Sequence, residues 1–335
     1  MAGYLGKVRR AIVRRMRHAK FYPALYPSVW RGRWAGMPKS PAGVANAYFT
    51  AVPHPGAGIG HQIANWIAGY WFARQFGLQY AHSPFPSADW EALLGFGRGE
   101  VSVETLRAHG HRLVRLPTFD EDNAVEVDRI RRIIRAYGRR RVVFVAEQDQ
   151  FYRDQHGVMA DIRAKFGQAF EANAPALRFR PGVLNIAVHV RRGDIGTTGR
   201  SDQPNLAMRW QDEDYFLNVT KRVIAALPGG QPYRIWLFSQ GNPEDFAAFT
   251  VLPYVTLCLD MNARESFLHM ANAAILIASK SSFSYKPALL NDGIKICPDG
   301  FWHGYPGNPD WIIADASGNF QVEKFAERLR CDRAK

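Results

Sequence analysis

The sequence is poor in cysteine and lacks long apolar runs, and both absences narrow the class of protein. Its 335 residues include only three cysteines, Cys258, Cys297 and Cys331, which are far apart and lack metal-ligand spacing. This pattern predicts neither a disulfide framework nor a zinc site, and it favours a reducing compartment. No apolar run approaches the ~20 residues that span a bilayer, and the N-terminus lacks the apolar core of a signal peptide. We therefore expect a cytoplasmic protein.

Acidic residues are missing from the beginning of the chain, where the first one is Asp89. Much of the net charge of +13 therefore lies in residues 1–44, where lysines and arginines alternate with apolar and aromatic side chains. Such a basic amphipathic arm is suited to peripheral association with an anionic inner-membrane surface, each cation contributing about 1 kcal/mol. The alternative is a solvated arm. No nucleic-acid motif accompanies the charge, so we do not expect nucleic acid as a partner.

The remaining sequence is typical of an α/β enzyme with two domains of roughly 150 residues. Short apolar runs such as 48–52, 141–146, 185–190, 234–238 and 274–278 alternate with helical patterns, which predicts parallel sheets. We expect one Rossmann-like domain over 45–175, a second over 176–317 and a C-terminal helix over 318–335. In such sheets, ligands bind beyond the carboxyl ends of the strands.

The most informative motif follows the predicted strand 185–190. Arg191, Arg192, Gly193 and Asp194 stand at its carboxyl end. The planar fork of arginine donates two hydrogen bonds to phosphate oxygens and stays charged at any working pH. A fixed cation there can stabilise a departing nucleoside diphosphate without a metal. Alternatively, the two arginines are an ordinary solvated pair.

His189-Val190-Arg191-Arg192-Gly193-Asp194 resembles the His-x-Arg-Arg-Gly-Asp motif of the α1,2-fucosyltransferases and the related α1,6- and protein O-fucosyltransferases. This resemblance implies that Arg191 and Arg192 bind the diphosphate of GDP-fucose. It also implies an α/β fold of two facing Rossmann-like domains, the GT-B architecture. His189 is a further candidate for a hydrogen bond to the nucleotide, although a histidine at a strand end is as often structural.

Two other segments resemble the same superfamily in the expected order. Gly58, Gly60 and Gln62 belong to a Gly-rich segment before the first helix, which can present backbone N–H groups to a ligand or serve as a flexible turn. Near the C-terminus, Ser281 and Ser282 follow the predicted strand 274–278, and the resemblance implies that they contact the β-phosphate. Serines in this position also cap helices.

A carboxylate in the second domain is expected to read guanine through its N1–H and exocyclic amine. Glu265 is the candidate, with Asp260 as its competitor. The acceptor hydroxyl needs a base, for which Asp194, Asp202 and His61 are the candidates. The Asp-Glu-Asp triplets 120–122 and 212–214 are interpreted as structural, so neither a metal nor another cofactor is expected.

The sequence therefore predicts an inverting, metal-independent transfer of fucose from GDP-fucose to a glycan hydroxyl. The α1,2 linkage and a surface polysaccharide or oligosaccharide acceptor are the specific expectations. The alternatives are transfer from another GDP-sugar, and a non-catalytic adaptor that binds a membrane surface or nucleic acid through the basic arm.

Overall fold

The computed structural model describes residues 36–43, 45–146, 154–173, 176–193, 195, 208–259 and 261–333, with Ile12, Arg15, Met16 and Ala19 of the N-terminal arm. The chain divides into two compact units, Met1–Val158 and Met159–Lys335. Asp194, Asp202, Asp260 and most of the basic arm lie outside the described residues, so the predictions for them stay predictions.

In the described part of the first unit, five parallel strands form one sheet. They are β1 (Ala47–Ala51), β2 (Gln79–His82), β3 (Val101–Ser102), β4 (Arg112–Arg115) and β5 (Val142–Ala146), in the order β3-β2-β1-β5-β4. The helices are α1 (Ile59–Gln75), α2 (Ala88–Leu94), α3 (Val103–Ala108) and α4 (Ala124–Ala136). Every residue of β5 is buried, as expected for a parallel strand covered on both faces.

The second unit contains a six-stranded parallel sheet in the order β11-β10-β9-β6-β7-β8. Its strands are β6 (Leu184–His189), β7 (Tyr233–Phe238), β8 (Val255–Cys258), β9 (Ile275–Ile277), β10 (Ile294–Pro298) and β11 (Trp311–Ala314). Its α-helices are α5 (Met159–Asn173), α6 (Glu213–Ala225), α7 (Ala263–Asn272), α8 (Ser282–Leu290) and α9 (Val322–Arg333). A 3-10 helix covers Pro243–Val251.

Alternation along β6 sets the direction of its side chains. Ile186 and Val188 belong to the core cluster that also contains Phe216 of α6 and Phe325 of α9. Because successive strand residues point to opposite faces, His189 lies on the other face of the sheet. The ring centroid of Phe283 in α8 lies 5.5 Å from that of His189 on this face.

The strand order of the second unit defines where a ligand is expected. With β6 counted as the first strand, the sheet runs 6-5-4-1-2-3, which is the Rossmann order read from the opposite edge. All strands are parallel, but β7 and β8 are added on one side of β6, whereas β9, β10 and β11 are added on the other. In open parallel sheets, ligands bind in the crevice outside the carboxyl ends at such a switch point.

The prediction of two α/β domains with parallel sheets is confirmed. The predicted strands 48–52, 141–146, 185–190, 234–238 and 274–278 correspond within a residue or two to β1, β5, β6, β7 and β9. The sequence did not predict strands β2, β3, β10 and β11 or helices α2, α3 and α5.

The division between the units falls earlier than the expected boundary at 175 and 176. Helix α5 belongs to the second unit. The guanidinium of Arg163 in α5 donates to the carbonyl oxygens of Leu289 (2.8 Å) and Asn291 (2.6 Å) at the end of α8. It also lies 3.2 Å from the carboxylate of Asp292. These contacts account for the placement of α5 with α8.

The end of the segment assigned to the arm is part of the first unit. Lys39 forms an antiparallel bridge with Arg140, and the Ser40 amide donates to the carbonyl of Arg139 at 2.9 Å. The helices of the described segments include none long and apolar enough to cross a membrane.

Candidate functional site

The carboxyl ends of β6 and β9 are joined by a hydrogen bond at the switch point. His189 Nδ1 lies 2.7 Å from the hydroxyl of Ser279, and both residues are buried. Burial lowers the pKa of His189 from 6.5 to about 3, with the charge of Arg191 as a smaller cause. His189 is therefore a neutral imidazole that ties the two strand ends together, and the half-buried Arg191 stands just beyond it.

Arg192 differs from Arg191 in being almost fully buried, with 3% of its surface exposed. Its guanidinium donates to the backbone carbonyls of Arg191 (2.8 Å) and Gln211 (3.2 Å), and it lies 3.8 Å from the ring centroid of Trp210. Burial lowers its pKa, against the opposing effect of the carboxylates of Glu213 and Asp212. Its contacts connect the end of β6 to the segment before α6.

Gln211 extends this connection to the serine segment, and the sequence analysis did not single it out. Its carbonyl accepts from Arg192, while its side-chain Oε1 accepts from the backbone N–H of Lys280 at 2.8 Å. One buried glutamine thus holds the arginine motif and the loop after β9 in register. No local signal marks such a residue, since glutamine at a helix start is ordinary.

Gly193 occupies a conformation that requires glycine. Its φ is +80°, and a Cβ there would lie 2.4 Å from Oε1 of Gln240. Beside it, the hydroxyl of Ser239 after β7 donates to the carbonyl of Val190 at 2.7 Å. A side chain at position 193 would therefore require the side chain of Gln240 to move, and it would be strained by the positive φ in any case.

The serines after β9 form the start of α8. The Ser281 hydroxyl accepts from the N–H of Phe283 at 3.2 Å, which makes Ser281 the N-cap. Ser284 is buried and its hydroxyl contacts the hydroxyl of Ser279 at 3.3 Å. Ser282 is partly exposed, with its hydroxyl 3.4 Å from His303 Nε2. Of the two predicted serines, Ser281 thus caps the helix and Ser282 is the more accessible.

Glu265 lies in the first turn of α7, the helix that follows β8. Its carboxylate is about half exposed and lies 3.5 Å from the guanidinium of Arg178. Nearby, the buried His269 accepts from the N–H of Arg178 at Nε2 (2.9 Å) and donates from Nδ1 to the carbonyl of Glu265 (2.7 Å). Burial lowers the pKa of His269. His269 is therefore a structural residue that connects α7 to the segment before β6.

The Gly-rich segment belongs to the first unit, where it leads from β1 into α1. Gly58 is the N-cap of α1 and Gly60 is buried. Gln62 donates from Nε2 to the carbonyl of Ala57 at 2.7 Å, while its buried Oε1 has no hydrogen-bond partner in the described structure. The ring of His61 makes an edge contact with His54, their centroids 6.5 Å apart. This segment follows the carboxyl end of β1, which neighbours β5 at the switch point of the first sheet.

The two acidic triplets have local structural roles. Asp212 is the N-cap of α6 and accepts from the indole N–H of Trp210 at 3.1 Å. Asp120 accepts from the N–H of Asp122 at 3.0 Å in the turn before α4. A search of the described residues finds no cluster of three or more His, Cys, Asp or Glu side chains that could hold a metal ion.

No protein-family model and no curated protein matches the chain. Among solved structures, it is similar to NodZ α-1,6-fucosyltransferase co-crystallised with GDP at 14% identity and a TM-score of 0.43, over 83% of this chain and 98% of that one. NodZ comes from Bradyrhizobium. It is also similar to POFUT1 in complex with GDP-fucose (10%, TM-score 0.41, covering 76% and 96%).

A third similar structure is the E. coli heptosyltransferase WaaC with ADP, at 12% identity and a TM-score of 0.41, covering 86% of this chain and 99% of that chain. Likenesses at this level do not assign a function to the chain.

Proposed function

We propose that this chain is a glycosyltransferase that binds GDP-fucose at the switch point of its second unit and transfers fucose to a glycan hydroxyl. The observation that carries the proposal is the junction of two predicted motifs. His189 and Ser279, which are 90 positions apart in the sequence, are hydrogen-bonded where the strand order reverses. The arginine motif and the serine segment therefore border one crevice of the kind that binds nucleotides.

The chemistry proposed for this crevice is a single displacement with inversion. The acceptor oxygen attacks the anomeric carbon, the bond from that carbon to the diphosphate oxygen breaks, and GDP leaves with the bonding electrons. The guanidinium of Arg191 and the N-terminus of α8 would stabilise the charge that develops on the departing diphosphate. Arg192 holds the loops in place, and Ser282 offers a hydroxyl to a phosphate oxygen.

The finer assignments rest on the sequence motifs. Glu265 is proposed to read guanine, with Asp260 as the alternative, and the base is sought among Asp194, Asp202 and His61. Metal independence, an α1,2 linkage and a surface glycan acceptor are parts of the same proposal. So is the association of the basic N-terminal arm with an anionic membrane surface.

The test compares the full chain with Arg191→Ala and with Arg330→Ala, a control that removes an exposed charge from α9. GDP affinity is measured by calorimetry, and GDP release from GDP-fucose is measured with and without acceptor and EDTA. We expect Arg191→Ala to lower turnover about 100-fold or more with unchanged circular dichroism. A wild-type chain that binds no GDP, or that turns over only with manganese, would contradict the proposal.

Two further experiments distinguish the alternative functions. Competition between GDP-fucose and GDP-mannose identifies the donor sugar. Removal of residues 1–35, which spares the pairing of Lys39 and Ser40 with the first unit, tests the adaptor hypothesis. Retained activity with lost binding to anionic vesicles supports an enzyme with a peripheral arm.

A further inference from the structure

Arg209 is an arginine of the second unit that neither the motifs nor the proposed mechanism uses. It is half-buried, and its guanidinium lies 5.5 Å from the ring centroid of Trp302. Its Nε is buried and has no hydrogen-bond partner among the residues that the structure describes. An aromatic face attracts a guanidinium but accepts none of its N–H groups in the plane of the fork. A buried donor left in this state is costly, which makes an external acceptor the natural partner.

The neighbours of Arg209 in the sequence connect it to the proposed nucleotide site. Its neighbour Trp210 contacts the guanidinium of Arg192, and Gln211 binds the amide of Lys280. The segment that carries Arg209 is thus attached to the loop after β9.

A second route leads from Arg209 to the same loop through its aromatic contact. Trp302, in the loop after β10, donates from its indole to His303 Nε2 at 3.1 Å. That nitrogen also lies 3.4 Å from the hydroxyl of Ser282, the first residue of α8. Both the backbone and the side chain of Arg209 are therefore linked to the segment Lys280–Ser282.

The two arginines on either side of Trp210 have different surroundings. Arg192 donates hydrogen bonds to the carbonyls of Arg191 and Gln211. Arg209 has an oriented guanidinium whose Nε lacks such an acceptor. The guanidinium of Arg209 lies over the ring of Trp302, and the next residue, His303, contacts Ser282 at the start of α8. A planar guanidinium is suited to a phosphate, and the N-terminus of a helix favours the same anion.

We propose that Arg209, held by Trp302, binds a phosphate of the nucleoside diphosphate at this crevice. The proposal rests on the proposed function in taking the ligand to be a nucleotide. It adds an anion-binding residue contributed by the segment before α6.

The experiment uses Arg209→Gln, which keeps much of the side-chain stem, Arg209→Lys and the control Arg330→Ala. Affinities for GDP and for inorganic pyrophosphate are measured by calorimetry, together with melting temperatures with and without GDP. We expect Arg209→Gln to weaken both ligands at least about tenfold, Arg209→Lys to weaken them less, and Arg330→Ala to leave them unchanged.

The melting temperature separates a ligand-binding role from a structural one. Without ligand, Arg209→Gln loses the contact with the ring of Trp302 but no hydrogen bond of Nε, so its melting temperature should fall only slightly. The rise in melting temperature produced by GDP should shrink in this variant. An Arg209→Gln chain that binds both ligands as the wild type does, or that melts lower with unchanged affinity, would overturn the inference while leaving the proposed function intact.

Failure of the proposed function has a different signature. If the wild type does not bind GDP but does bind pyrophosphate, and Arg209→Gln weakens that binding, Arg209 is an anion-binding residue of another phosphate ligand. If the wild type binds neither, both proposals fail.

Discussion

The burial of His189 makes the stability of the second unit depend on pH. Its pKa is lowered from 6.5 to about 3, chiefly by burial. The unfolded chain gains a proton near pH 6.5, whereas the folded unit does not until about pH 3, so acid favours the unfolded state. One pKa unit corresponds to about 1.4 kcal/mol, so lowering the pH from 7 to 5 should remove about 2 kcal/mol of the free energy of unfolding.

The matched variant is His189→Asn, which does not titrate but keeps a polar group for the hydroxyl of Ser279. Hydrogen exchange of peptides from β6 and β9, followed against urea at pH 7 and pH 5, reports the opening of this sheet alone. The wild type should lose about 2 kcal/mol more than the variant between these pH values. His269, whose pKa is also lowered by burial, is present in both proteins and cancels from the comparison.

An equal loss in wild type and variant would refute this reasoning. It would mean that His189 is protonated in the folded unit near its ordinary pKa. The assignment of a neutral imidazole to His189, between the ends of β6 and β9, would then be wrong.

Two other predictions concern the loops at the same edge. Gly193→Ala should lower the free energy of unfolding by about 1–2 kcal/mol, because the φ of residue 193 is +80°. Adding Gln240→Ala should relieve only the contact between Gln240 and the new Cβ. Full recovery in that double variant, measured by the urea midpoint, would show that backbone conformation is not the cause. Gln211→Ala should lower the free energy of unfolding by about 1–2 kcal/mol and weaken GDP binding, since the Lys280 amide loses its acceptor. Gln211→Glu keeps an acceptor there, so equal losses in the two variants would contradict this explanation.

The strands that could be predicted from the sequence are those that are buried on both faces and therefore consist of a nearly continuous run of apolar residues. The strands β6, β7 and β9 are of this kind, because helices cover both faces of a parallel sheet. Strand β10 was missed because Lys295 interrupts it. Its buried amine donates to the carbonyls of Asn291 (3.0 Å) and Gly293 (2.6 Å), an arrangement visible only once the turn before the strand has formed.

The helix α5 was missed for a related reason. Gly167 weakens the helical pattern of the sequence, but it lies inside the helix, where a Cβ would meet open space. A glycine in a helix costs only ~1 kcal/mol, and the contacts of Arg163 with the end of α8 outweigh that preference. Tertiary contacts of this kind have no signature within a short window of sequence.

The sequence predicted which motifs form the candidate site, but it did not predict the structural role of each residue within them. Strand order brings the arginine motif and the serine segment together. The structure separates Arg191 from Arg192 by burial and makes Ser281 a helix cap. Arg209 carried no sequence signal, because its feature is an unsatisfied donor and not a residue pattern.

The pairing of β6 with β9 has a consequence for how the protein folds. The residues that meet there are 90 positions apart. Strands β7 and β8, helices α6 and α7 and the 3-10 helix lie between them along the chain. Closing so long a loop is slow, because the chain loses conformational entropy before the contacts of β9 with β6 stabilise the sheet. During synthesis the crevice cannot exist until the chain has emerged past α8. A ligand of this crevice would therefore bind only chains whose second sheet is assembled, and its binding would report completed folding.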